Sequence, residues 1–146
     1  MDFAYIIALL LFFIHIGAFV AGGANAVLMP VMGPKFATAT PEMRTQLWDI
    51  AEKVSKIGKV ALGTLLVTGV LTLWLKYSWA PPNAIWFWIK MAAVVTMIVL
   101  IAVNERLAHS AKQGDMEAAR GSKTFGQLTA AAFAVVIFSA VFAFNT

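Results

Sequence analysis

The chain has 146 residues, of which 61% are hydrophobic and 12% are charged, and its formal net charge is +4. A soluble domain is nearer half apolar and a quarter charged, so lipid rather than water must surround most of this chain. The absence of cysteine excludes disulfides, iron–sulfur clusters and thiolate metal sites. The basic residues belong to the loops of a membrane protein, and we expect no nucleic-acid partner.

Four apolar runs are long enough to cross the hydrocarbon layer, which takes about 20 helical residues. They cover residues 3–29, 57–75, 85–103 and 125–144. Each run must be helical, because an unpaired strand edge cannot face lipid. Short connections make successive helices antiparallel. The sequence therefore predicts an all-α fold, an up-down four-helix transmembrane bundle, with residues 1–146 forming a single integral membrane domain.

An amphipathic helix is predicted before the second span. Thr40 can cap its N-terminus, and Pro41 suits the first helical position. Apolar residues then recur at spacings of three and four, at Met43, Leu47, Ile50, Val54 and Ile57. This helix either lies near the membrane surface or extends the second span, and its apolar stripe either packs against the bundle or contacts lipid.

Loop charges predict the orientation of the bundle. Lysine and arginine are concentrated in or beside the first and third loops, at Lys35, Arg44, Lys53, Lys56, Lys59, Arg106, Lys112, Arg120 and Lys123. The second loop is flanked instead by tryptophans, which favour a membrane interface. These patterns place loops one and three in the cytoplasm and both termini on the outer side, as expected for a protein of the bacterial cytoplasmic (inner) membrane. The third loop should turn at residues 113–115, with Asp115 capping a short helix over 116–120.

The candidate functional residue of the first span is His15. An ionisable side chain within a membrane-length apolar run is costly and points to a function. It lies about 18 Å in from the outer end of its helix, and Met97 and Thr68 lie about 18 and 14 Å in on theirs, so the three can share a layer. The ring is a haem ligand, a proton relay or a transition-metal ligand, or else a neutral imidazole bonded to Thr64, Thr68 or a carbonyl.

Depth also limits what the other polar residues can do. His109 lies about 36 Å in, so His15 and His109 cannot bind one haem in a monomer. A haem on His15 would be five-coordinate or take Met97, Lys90, water or the His15 of a parallel second copy. Lys90, about 8 Å in, either reaches the outer headgroups or holds a propionate or another anionic group. Asn25 and Asn104, both near the inner face, are expected to bond to one another.

Three short segments resemble a known family. They are His15 followed by Gly22-Gly23, Thr68-Gly69-Val70-Leu71 in the second span, and Trp86-Phe87-Trp88-Ile89-Lys90 opening the third. They resemble small four-helix membrane proteins related to HemJ-type protoporphyrinogen oxidase and to the membrane domain of copper-resistance protein D. The resemblance implies a b-type haem, with His15 and Lys90 as the functional pair. The last span lacks the arginine and the Asn-Glu-x-Pro-like element of that family.

The leading hypothesis is therefore an integral membrane redox protein that binds haem b through His15, similar to protoporphyrinogen oxidase, with Lys90 and Met97 completing the cofactor site. A second hypothesis is a non-catalytic accessory subunit that packs its small-residue helix faces, rich in glycine and alanine, against a larger membrane complex. The expected partners are the lipid bilayer and either a homo-oligomer or such a complex. A third is a copper-handling protein that uses His15 with Met29, Met32 or Met97.

Overall fold

The protein is a bundle of four long helices in the computed structural model. The structure describes residues 3–144, and their side chains except those of Ala4, Met29, Pro30, Ala37 and Phe144. The helices are α1 (Phe3–Thr38), α2 (Pro41–Tyr77), α3 (Ala84–Lys112) and α4 (Met116–Phe144). All four are long and apolar enough to cross a membrane. The prediction of an all-α four-helix transmembrane bundle is confirmed, and the chain is an integral membrane protein.

Local signals in the sequence mark where the helices begin. Thr40 Oγ1 accepts a hydrogen bond from the Met43 backbone N–H, and Pro41 is the first residue of α2. Asn83 Oδ1 accepts from the Trp86 N–H at the start of α3. Asp115 Oδ1 accepts from the N–H groups of Glu117 and Ala118 at the start of α4. These caps satisfy backbone donors that have no carbonyl partner within the helix.

All four helices run further than the apolar runs that predict them, and α3 continues past residue 103 to Lys112. α1 continues through Pro30 and Pro34 to Thr38. The amphipathic segment is continuous with the second span, so α2 has 37 residues and is about 55 Å long. The segment predicted over 116–120 is likewise the first part of α4. Since the hydrocarbon layer is about 30 Å thick, residues 41–56 extend beyond it.

The apolar stripe of residues 41–57 lies mostly on the outside. Met43, Ile50 and Ile57 are each about half exposed. Ala51 is buried instead, and Trp48 stacks on Phe36 of α1. The alternative in which the stripe packs against the bundle is therefore wrong for these three residues. They face lipid or the membrane surface.

The helices associate in two antiparallel pairs. α1 packs along α2, α3 packs along α4, and α1 also contacts α4, whereas α2 and α3 have little backbone contact with each other. The buried residues are mostly small ones, which allows helices to approach closely: Ala51, Ala61, Ala118, Ala143, Thr68 and Ser139. Large apolar side chains point outwards, and Phe3 and Phe13 are each more than three-quarters exposed. This arrangement suits a bundle that is surrounded by lipid.

Candidate functional site

His15 sits between α1 and α2 at the mid-depth layer. Its Nδ1 atom lies 2.7 Å from Thr68 Oγ1. The ring rests against Gly69, where a Cβ atom would come within 3.7 Å of His15 Cε1. The predicted shared layer of His15 and Thr68 is confirmed, and so is the interpretation that named Thr68 as a partner of the ring.

The Thr68 hydroxyl determines which nitrogen of His15 carries the proton. Its Oγ1 lies 2.6 Å from the Thr64 carbonyl oxygen, which has no hydrogen to give, so the hydroxyl must donate there. A hydroxyl has only one hydrogen, and Thr68 Oγ1 therefore accepts the bond from His15 Nδ1–H. In the neutral ring, Nε2 then carries a lone pair and no proton.

The second ring nitrogen is open. His15 Nε2 has no hydrogen-bond partner among residues 3–144. In that range, Asn25 Oδ1 is the one side-chain oxygen or nitrogen that is both fully buried and without a partner. Since His15 Nε2 also has no partner, it is not fully buried. A lone pair at this depth is an unused acceptor, and in lipid an unused acceptor is costly. Nε2 therefore has a lone pair that can take a proton or bind a metal ion.

The structure separates the other two candidate site residues. Lys90 is partly buried and lies within electrostatic range of His15. Met97 is only 6% exposed and lines an interior cavity whose walls include neither His15 nor Lys90. Among the described contacts, Thr68 and Gly69 touch the imidazole, Lys90 acts on it at longer range, and none joins it to the Met97 sulfur.

The space that we call the interior cavity has a volume of about 560 Å³ and lies on the side of the bundle that carries the charged loops. It is half-open, and its walls include the exposed side chains of Glu52 and His109. All four helices contribute to its walls. Small residues leave the space, among them Gly22, Ala26, Gly58 and Gly126. This cavity is not among the features predicted above, although Gly22, Asn25 and Ala26 recur at helical spacing and form one small, polar face of α1.

Asn25 and Asn104 both line the interior cavity, but the bond predicted between them is absent. Asn104 Oδ1 instead accepts a hydrogen bond from Ser122 Oγ of α4. Asn25 Oδ1 is buried without a partner. The prediction is wrong because α3 pairs with α4, which brings Ser122 to Asn104 and leaves Asn25 across the cavity.

Ion pairs bridge α2 and α3 where the interior cavity meets the charged end of the bundle. Lys59 Nζ lies 2.6 Å from Glu105 Oε1, and Lys112 Nζ lies 3.5 Å from Glu52 Oε2. Glu52 also pairs with Lys56 on its own helix. Hydrogen bonds from Lys56, and then from Lys112, hold the pKa of the exposed Glu52 carboxyl below its usual value. The bridges span two helices that barely touch.

The structure does not bring the ligands proposed for copper to one place. Met32 is 17 residues from His15 on the same helix, about 26 Å away, so the two cannot share one ion. The side chain of Met29 lies outside the described residues. Within the described part of the chain, no group of three or more His, Cys, Asp or Glu side chains could hold a metal ion. His109 is exposed and bonded to Gln113, far from His15.

Comparison with known proteins adds no assignment. No family model, no curated protein and no solved structure matches the chain. Fold and membrane character therefore stand on the helices themselves, and any activity must be argued from His15 and from the interior cavity.

Proposed function

We propose that this integral membrane protein binds a b-type haem with His15 Nε2 as the axial ligand. The observation that carries the proposal is the state of the imidazole. Its Nδ1–H is bonded to Thr68, while Nε2 is unprotonated and has no partner in the part of the chain that the structure describes. A histidine bound to iron needs this arrangement, in which one nitrogen binds the metal and the other donates to a nearby acceptor.

The residues around the ring have distinct roles in this proposal. Thr68 fixes the tautomer and the orientation of His15, and Gly69 leaves room for the ring beside α2. Lys90 offers a positive charge to a propionate from the tryptophan end of the bundle. Met97, the other residue predicted for the cofactor site, lines the interior cavity away from His15 and has no role in this proposal. When bound, the haem supplies one-electron redox chemistry.

The proposal does not extend to a substrate. Oxidation of protoporphyrinogen is implied only by the resemblance to the HemJ-type family, and the last helix lacks two of that family's features. Phe125–Phe144 carries no arginine and no Asn-Glu-x-Pro element. A haem-binding redox protein of the inner membrane is the function that the His15 site supports.

An absorbance spectrum of the protein purified from haem-replete cells tests the proposal. The wild type should show a Soret band, and His15→Ala should retain less than about a tenth of it, because loss of the axial ligand removes the iron bond. His109→Ala is the matched control, since it removes the other histidine of the chain and should leave the band unchanged.

Two results would contradict haem binding at His15. One is a wild-type protein with no Soret band, and the other is a band of equal strength in His15→Ala. If the bandless protein copurified with fixed partners in mild detergent, the accessory-subunit hypothesis would take its place.

A further inference from the structure

We infer that the interior cavity binds a neutral, lipid-soluble phenol or hydroquinone whose hydroxyl group donates a hydrogen bond to Asn25 Oδ1. This site lies on the charged side of the bundle, and its walls do not include His15. The inference goes beyond the proposed function and does not depend on haem.

The need for a hydrogen-bond donor comes from Asn25. Its Oδ1 atom is buried, lines the interior cavity and has no partner among residues 3–144. Gly58 of α2 allows the Asn25 side chain to occupy this position, because a Cβ atom there would overlap the Asn25 amide nitrogen. Ordered groups with unused acceptors are rare in protein interiors and call for a bound partner. A ligand hydroxyl supplies the missing donor.

The neutral character of the ligand follows from the charges around the cavity. Every lysine and glutamate in its walls is already in an ion pair: Lys56 and Lys112 with Glu52, and Lys59 with Glu105. The other polar side chains in its walls are uncharged amides and hydroxyls, at Asn25, Ser55, Asn104, Ser122 and Thr129, together with His109, which is bonded to Gln113. The three lysines exceed the two glutamates by one charge, so the walls repel a cation, and an anion has no hydrogen to give to Asn25 Oδ1.

The walls also favour an aromatic ring. Phe133 and Trp48 line the interior cavity together with the apolar side chains of Leu65 and Met97. The volume of about 560 Å³ falls within the range of about 300–1,000 Å³ that is typical of small-molecule sites. Because the cavity is half-open, a small molecule can reach it. A ring with a hydroxyl group thus matches both the apolar walls and the free acceptor.

The test compares two probes in haem-free protein reconstituted in lipid nanodiscs. Tetramethylhydroquinone carries the hydroxyl donors, and its dimethyl ether has the same ring without them. Isothermal titration under anaerobic conditions should show saturable binding of the hydroquinone at one site. The ether should bind at least about tenfold more weakly, because a site built for a hydroxyl is left with an unpaired acceptor.

Variants of two glycines on α2 assign the binding to this cavity. Gly58→Ala forces the Asn25 amide to move and should weaken hydroquinone binding at least about tenfold. Gly63→Ala makes the same change where a Cβ atom meets nothing within 4 Å, and should leave the affinity within about twofold. Asn25→Leu removes the acceptor, keeps the branched heavy-atom shape and suits an apolar helix. It tests the role of Asn25 even if Gly58→Ala does not fold.

Equal binding of the hydroquinone and its ether would overturn the inference, as would the absence of saturable binding, which would indicate a cavity filled by water. Unchanged affinity in Asn25→Leu would also overturn it. Because the protein in this experiment contains no haem, these outcomes are independent of the Soret band and of His15.

Discussion

At the scale of single residues, the central relationship is between His15 and Thr68. One hydroxyl hydrogen, donated to the Thr64 carbonyl, makes Thr68 an acceptor and makes Nδ1 of the imidazole a donor. The free lone pair on Nε2 follows from that constraint alone. The ring is therefore both a satisfied partner of a neighbouring helix and a potential ligand, two roles that the sequence presents as alternatives.

Replacing Thr68 with valine separates these two roles. Thr68→Val keeps the shape of the side chain but removes the acceptor of Nδ1–H, so haem affinity should fall about 10- to 100-fold. Thr64→Val is the matched control one turn away, because among the described residues the Thr64 hydroxyl bonds only to the Val60 carbonyl of its own helix. Haem titration followed by absorbance measures both. Equal affinities in the two variants would show that Thr68 does not orient His15.

At the scale of helices, two glycines of α2, Gly58 and Gly63, have different surroundings. Alanine at either Gly58 or Gly63 gains about 1 kcal/mol of helix propensity. At Gly58 the new methyl group also overlaps Asn25, and overpacking costs about 1–3 kcal/mol. Gly58→Ala should therefore be less stable than Gly63→Ala by that amount in thermal unfolding followed by circular dichroism. Equal melting temperatures would mean that Asn25 does not lie against Gly58.

The sequence predicts the positions of the helices more fully than it predicts how the helices pack. Caps and apolar periodicity are local signals, and Thr40, Asn83 and Asp115 begin α2, α3 and α4 through their own side chains. The contacts between polar groups depend on how each helix is rotated about its axis and on which helix lies next to it. Depth along the axis brought His15 to Thr68 correctly, but the same reasoning paired Asn25 with Asn104, because depth carries no information on rotation about the axis.

At the scale of the whole molecule, the charged end and the tryptophan end predict opposite sides of the membrane. The chain has no cysteine, so a single introduced cysteine is the one thiol that can be labelled, and its labelling shows on which side of the membrane it lies. In intact cells a membrane-impermeant maleimide should label Ala80→Cys in the second loop but not Asp49→Cys at the charged end. Both positions are exposed, and the Asp49–Lys53 pair lost in one variant is a surface pair of small value.

Val67→Cys provides the control for the membrane itself. Val67 is 60% exposed on the outer face of α2, within the apolar run 57–75. If lipid covers this face, the maleimide should not reach it in intact cells or in inverted vesicles, and labelling should appear only in detergent. Labelling of Asp49→Cys in intact cells would reverse the predicted orientation and place Lys90 near the cytoplasm.

The most direct test of the account is the protonation of the His15 ring, since both the tautomer and the proposed ligand role depend on it. Nitrogen-15 NMR of the haem-free protein in bilayers, with the imidazole neutral, should show a protonated Nδ1 and an unprotonated Nε2 for His15. Addition of haem should then shift or broaden the Nε2 resonance and leave the two nitrogens of His109 unaffected. A proton on Nε2 of His15, with Nδ1 as the acceptor, would contradict the account.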